Sequence, residues 1–412
     1  MKKKKYLSIA FLVWAACGSS EKVAMDAAAL VDTKPSADGL ITSDAWLAPD
    51  QATDSLLAED ASAEIERDAL PETTLEADGG ANDAAATLVC NPELLATNPP
   101  TQLSQTGCFE PGKPGQPIAE FFAYEVNSPL WSDDSLKSRF LRIPSGKAIT
   151  VKDCDQNPAT CLPIEQGGTP EDEGHFDLPI GSILIKNFRL QGKLIETRVL
   201  VRAATLTWKG YSYEWNEDAT EASLLADFKD RTVGAQVWHY PNQQECLQCH
   251  TAAGGRSLGP TTRQLDRVTG EGNQLDRLVA LGLLPSRPKA LAPYPDPRQT
   301  GPLEGRARAY LQSNCSFCHR PGGPFSDMDF RYDTKLLDMN VCNVPIIRGT
   351  GDPALPPMRM VPGQPEVSSM SFRMHNRAGY GMPKIGSNLV DPEGVALLDQ
   401  WISSITTCPT AH

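Results

Sequence analysis

The sequence predicts an α+β, multidomain protein: a β-rich N-terminal domain followed by mainly α-helical domains. Three observations predict it. Short runs of alternating apolar residues recur between 139 and 215. The segments 303–314 and 391–401 carry helical periodicity. Two Cys-x-x-Cys-His pentads, 246–250 and 315–319, place paired thiols and an imidazole at the spacing of one helical turn.

The chain opens on an export signal. Lys2 to Lys5 form a positive stretch, and Leu7 to Trp14 a short apolar core, too short to span a bilayer. Val13-Trp14-Ala15-Ala16-Cys17-Gly18 resembles a lipobox, in which small residues precede a cysteine that is acylated after cleavage. Trp14 departs from the usual aliphatic residue, and an ordinary signal peptide cut nearby is the alternative. Residues 1–17 are therefore expected to be a lipoprotein-type signal peptide, with Cys17 the lipidation site. The chain would be exported to the bacterial cell envelope, lipid-anchored to the outer membrane or facing the periplasm.

Residues 18–88 read as a disordered acidic tether. Between 21 and 83 there are 16 acidic and 3 basic residues, a net charge of −13, with little apolar periodicity. Such a segment buries too little surface to offset its ordering entropy. The whole chain also carries −13, so the tether explains the acidity. The remainder is close to neutral, which excludes the basic footprint of a nucleic-acid-binding protein.

The β-rich domain is expected over 89–233, with strands at 139–143, 148–151, 182–190 and 194–203. Leu206 and Trp208, then Lys209-Gly210, then Tyr211, Tyr213 and Trp215 read as a hairpin with a turn at the glycine. The aromatic stripe is read as sheet core rather than a ligand platform. Asn216 is placed as the cap of a short helix reaching Leu225. Asp133 and Asp134 fall short of a complete cation site and read as a solvated turn.

From 234 the composition turns to Pro- and Gly-rich loops between helical pieces. A first haem-binding region is expected over 234–300 and a second haem domain over 301–412. Composition alone predicts about 0.004 Cys-x-x-Cys-His pentads in this chain, and it has two. A zinc ribbon would set its knuckles about 15–20 residues apart, whereas residues 250–314 separate these. The pentads read as c-type haem attachment sites: Cys246, Cys249, Cys315 and Cys318 as thioether donors, His250 and His319 as iron ligands. The expected cofactors are two haem c groups. Of eleven cysteines, Cys17 and these four leave six. Proximity favours disulfides Cys90–Cys108, Cys154–Cys161 and Cys342–Cys408 among 15 pairings.

The 301–412 unit resembles class I cytochrome c. A helix at 303–314 leads into the second pentad, Gly381-Met382-Pro383 follows, and Asp391-Pro392-Glu393 starts a last helix bearing Val395, Leu398 and Trp401. That resemblance implies His319 as proximal ligand, Met382 as distal ligand and a crossing of the two helices; Met358, Met360 and Met374 are the alternatives. Residues 251–314 hold no Met and no His. The first haem's distal ligand is therefore open among His239, His175, Met328, Met339 and the methionines near the second haem.

Over most of the folded chain the sequence also resembles a family of di-haem c-type cytochromes of the bacterial envelope. The stretches that carry it are Ser128-Pro129-Leu130-Trp131-Ser132-Asp133, Leu194-Ile195-Glu196-Thr197-Arg198, Tyr213-Glu214-Trp215-Asn216, Tyr240-Pro241 and Met382-Pro383. The resemblance implies a β-rich N-terminal part before cytochrome c-like haem domains, and a parallel β-helix protein among the partners. It supplies no substrate. The expected function is electron transfer between redox proteins of the envelope, with no catalytic residue assigned. A di-haem peroxidase-like enzyme with an open first haem, and a binding module coupled to haem, are the alternatives.

Overall fold

The computed structural model describes residues 89–152, 174–347, 349 and 353–410. The signal peptide, Cys17, the acidic tether and the pair Cys154–Cys161 lie outside them. The described residues belong to one compact unit, Gly80–His412; the boundaries expected at 233 and 300 fall inside it.

A short helix α1 (Pro92–Thr97) is started by Asn91, whose side chain accepts from the N–H groups of Glu93 and Leu94. The strands are β1 (Phe122–Tyr124), β2 (Leu136–Arg142), β3 (Thr150–Val151), β4 (Phe176–Asp177), β5 (Ile183–Leu190), β6 (Lys193–Arg202), β7 (Trp208–Trp215), β8 (Ala222–Leu224), β9 (Lys229–Val233) and β10 (Gln236–Tyr240). Six of them form an antiparallel sheet in the order β1-β2-β5-β6-β7-β8. Beyond it come α2 (Gln243–Cys249), α3 (Thr262–Leu265), a two-residue ladder β11 (Val268–Thr269) with β12 (Gly272–Asn273), α4 (Gln274–Ala280), α5 (Leu303–Asn314), α6 (Ser369–Met374) and α7 (Pro392–Ser404).

Strand alternation sends side chains to two faces. Ile183, Ile185, Val199, Val201, Tyr213 and Trp215 face a core with Leu95, Leu103 and the Cys90–Cys108 disulfide. Leu141, Leu184, Leu200 and Trp208 face the other way, against Leu265, Leu275, Leu278 and Leu284 from α3, α4 and the turn after it. The segment around the first pentad thus packs on the sheet itself. The hairpin β9–β10 adds Trp238 and Tyr240 to Phe188, Leu190 and Ile195.

A third core joins α5 to α7: Ala307, Tyr310 and Leu311 meet Val395, Leu398, Trp401 and Ile402. Gly394 permits the approach, because a Cβ there would lie 2.4 Å from the Tyr310 ring. Asp391 accepts from the Gly394 N–H at 3.1 Å, the cap its sequence predicts. The Cys342–Cys408 disulfide closes the C-terminus onto this unit.

The expectation of mainly α-helical, cytochrome c-like domains after the β-rich part is overturned. Helix accounts for 21% of the described residues and strand for 23%. Among the described residues after 234 only α5 and α7, of 12 and 13 residues, exceed two turns. The physical reason is local. Pro and Gly interrupt 285–302 and 321–365, and backbone bonds such as Ile346 N–H to Pro357 O (2.9 Å) and Arg359 N–H to Val344 O (2.8 Å) hold that chain as loops.

Two smaller expectations also change. Residues 208–215 form one continuous strand, with Gly210 opposite Leu200, not a hairpin. Asn216 starts a turn, its Oδ1 accepting from the Thr220 N–H at 2.9 Å, and the chain then re-enters the sheet as β8. Tyr213 and Trp215 are buried in the sheet core.

Candidate functional site

The first pentad sits on α2. Asn242 and Glu245 form a reciprocal capping box at its start, which fixes the turn that carries Cys246 and Cys249. His250 closes the helix, its N–H donating to the Cys246 carbonyl at 3.1 Å. Both thiols are free and half-buried. Burial pushes Cys246 up to about 11 and Cys249 up to about 12. Burial pushes His250 down to about 3, helped by the Lys186 charge, so its ring is neutral. The loop after the helix folds back and presents the Arg256 carbonyl to His250 Nδ1. With Nδ1–H donating there, Nε2 is the nitrogen left with its lone pair, which is the tautomer control metal-binding histidines use.

Gly210 of β7 lies beneath this helix. A Cβ at that position would stand 3.0 Å from Cys246 Cβ and 3.4 Å from its Sγ. The glycine misread as a turn is the point where the first pentad rests on the sheet.

The second pentad follows α5 directly. The Cys318 and His319 N–H groups both return to the Cys315 carbonyl, at 3.1 and 2.9 Å, so these thiols also share one turn. Burial pushes Cys315 up to about 12 and Cys318 up to about 11. His319 stands between Phe325 and Phe330, with ring centroids 5.4 and 5.2 Å away. Burial holds its pKa down at about 4, against the pull of Asp327. Its Nδ1 is buried without a hydrogen-bond partner.

The fold brings the two pentads side by side. Cys318 Sγ lies 4.0 Å from the carbonyl of Gln248, inside the first pentad, and the Cys318 thiol acts electrostatically on Cys249. Among the described residues no three His, Cys, Asp or Glu side chains gather as a metal site; the four thiols do not converge into a zinc cluster. These residues could hold two covalently attached haems: two free thiols on each turn and a neutral imidazole beside them.

Met382 is half-buried, and its N–H donates to the Arg373 carbonyl at 2.8 Å. Arg373 is on α6, and its charge reaches His319. Of the alternative methionines, Met360 and Met374 are packed into the α5–α7 core; Met358 is half-buried and lies in backbone bridges to Pro345 and Ser368. Arg377 steadies the Met382 loop through the Pro383 carbonyl and Ser387 Oγ, both at 3.1 Å.

The candidate distal ligands of the first pentad are otherwise engaged. His239 contacts Asp230 through Nδ1 at 2.7 Å and Glu245 through Nε2 at 3.1 Å. His175 is buried against Gly255. Met339 is buried and Met328 packs against the α5–α7 core.

Sequence reasoning missed Asp133. It is not a solvated turn: only 2% of its surface is exposed, whereas Asp134 is exposed. Its carboxylate accepts from the Asn388 N–H at 2.8 Å and the Leu389 N–H at 2.8 Å. Trp131 adds an indole N–H to the Leu389 carbonyl at 3.2 Å and a backbone N–H to Asn314 Oδ1 at 2.7 Å. Residues 128–133 therefore tie β2 to the end of α5 and to the chain just past Met382. The capping box of α2 was the legible signal that was overlooked.

Compared with known proteins, the chain matches no family model, no curated protein and no solved structure. Among the described residues no helix is long and apolar enough to cross a membrane.

Proposed function

We propose that this chain is a di-haem c-type cytochrome that carries electrons between redox partners of the bacterial cell envelope. One observation carries the reading. Two Cys-x-x-Cys-His turns, separated by 64 residues of sequence, lie against each other, with thiols free and histidines neutral. The haems, when bound, supply the one-electron iron couple. The chain's own residues do the rest. Each Cys pair fixes one porphyrin edge, and the Arg256 carbonyl sets the His250 tautomer. Phe325 and Phe330 keep water from His319. Met382 would be the second protein ligand of the haem held by His319, and its thioether would raise the iron potential. The second haem is then the higher-potential station. The lipidated Cys17, the acidic tether and a parallel β-helix partner belong to this proposal as expectations of the sequence.

The test is production in a host that matures c-type haem, followed by mass measurement and spectra. Two attached porphyrins and two low-spin, ligand-saturated irons support electron transfer. No added porphyrin mass would end the proposal. A second reading, a peroxidase-like enzyme with an open first haem, is favoured by the engagement of both His239 nitrogens. Cyanide or carbon monoxide binding at one haem, with peroxide turnover, would select it.

A further inference from the structure

The sheet face beneath the first pentad carries a lateral row of charge. Register places Tyr124, Arg139, Lys186, Arg198 and Ser212 directly opposite one another across β1, β2, β5, β6 and β7, so they share one face. Gly210, on which Cys246 rests, lies two residues from Ser212 on β7 and hence on that same face. Lys137, two residues from Arg139, joins the row. Three of these four cations are adjacent, and like charges directly opposite one another are destabilising.

Among the described residues one carboxylate is hydrogen-bonded to the row, and Glu125, paired with Arg267, acts on Arg139 through space. Glu196 is fully buried and receives Arg198 Nε and Nη2 at 2.7 and 2.9 Å, with the Trp238 indole N–H at 2.9 Å. Lys137 donates to the carbonyls of Leu130 and Ser135. Among the described residues Arg139 and Lys186 form no ion pair and no side-chain hydrogen bond, although both are half-buried. Burial, then the charges of Arg139 and Arg198, push Lys186 down to about 7. Two half-buried cations without a directly bonded counter-ion mark a place that can take two negative charges. The charges of Lys186 and Arg198 act on the Cys246 and Cys249 thiols and on His250, which places the row beside the first pentad.

We propose that the two propionate carboxylates of the porphyrin on the first pentad are the missing counter-charges of Arg139 and Lys186. The inference rests on the haem reading of the pentads. The numbers match: a porphyrin of this class carries two carboxylates, and two cations lack a directly bonded carboxylate.

The test uses the mature protein with haem carrying ¹³C-labelled propionates. Redox-difference infrared spectra and the midpoint potentials are followed between about pH 5 and 8, the range in which a carboxylate robbed of its cation begins to protonate. The wild type should show ionised carboxylates throughout. Lys186→Met and Arg139→Gln should each shift the carboxylate band, bring in a protonated carbonyl band near pH 5, and lower one midpoint potential with a new pH dependence. Lys186→Arg should restore the wild-type spectrum. Variants that keep both haems and leave the labelled band and its pH dependence unchanged would overturn the inference while sparing the function. A wild-type chain without porphyrin would defeat both.

Discussion

Asp133 is the residue whose replacement should most clearly separate a clamp from a bystander. Its carboxylate accepts two backbone N–H groups, those of Asn388 and Leu389, at 2.8 Å each, and its backbone is left-handed at φ 50°. In Asp133→Ala both donors lose a charged acceptor. A hydrogen bond to a charged group contributes about 1.5–3 kcal/mol, and water replaces part of it because residues 388 and 389 are exposed. Alanine in the left-handed region costs about 1 kcal/mol more. The expected loss is about 3–4 kcal/mol in urea unfolding of the mature protein. Asp133→Asn keeps one acceptor oxygen and tolerates the positive φ, so its loss should be about 1 kcal/mol. Because the clamp lies six residues beyond Met382, Asp133→Ala should also weaken the methionine-to-ferric-iron charge-transfer band, with the porphyrin mass unchanged. Equal losses for Ala and Asn, or an intact band beside a full stability loss, would refute the reasoning that the clamp sets the Met382 loop.

Three further outcomes are expected. Cys342→Ser with Cys408→Ser opens a separation of 66 residues and should cost about 4 kcal/mol by loop entropy, read in urea unfolding; a change below about 1 kcal/mol would contradict it. Gly210→Val forces side-chain atoms against Cys246 and Leu200 and should cost about 1–3 kcal/mol while lowering haem occupancy at the first pentad only; peptide mass mapping reads both sites, and unchanged occupancy would count against the contact. In the haem-free chain Lys186 titrates near 7 when folded and near 10.4 when unfolded. The unfolded state then binds more protons between those values, so stability should rise with pH across that window. Lys186→Met should remove that slope, and a slope that persists would assign it elsewhere.

Much of the architecture was legible in particular residues. Asp391 and Pro392 announced α7, and the Val395, Leu398 and Trp401 stripe announced its buried side. Strand-like runs at 182–190 and 194–203 announced the two central strands, β5 and β6. Two of the three disulfides favoured by proximity, Cys90–Cys108 and Cys342–Cys408, are formed. What failed depended on distant contacts. Gly210 signals a turn by itself; only the arrival of Cys246 above it explains a glycine inside a strand. Asp133 looks solvated until Asn388 and Leu389, some 255 residues away, reach it. The excess of expected helix came from letting pentads and two good helices stand for the whole second half. The prolines and glycines between them allow loops instead, held by scattered backbone bonds that leave no periodicity. The two pentads were plain in the sequence, but their mutual contact was not, since nothing local encodes the approach of Cys318 to Gln248.

The most direct measurement is peptide-resolved mass spectrometry of the mature protein from a host able to attach haem. The peptides holding Cys246–Cys249 and Cys315–Cys318 should each gain one porphyrin. Free thiols, or a disulfide within each pair, would contradict the proposal at its root.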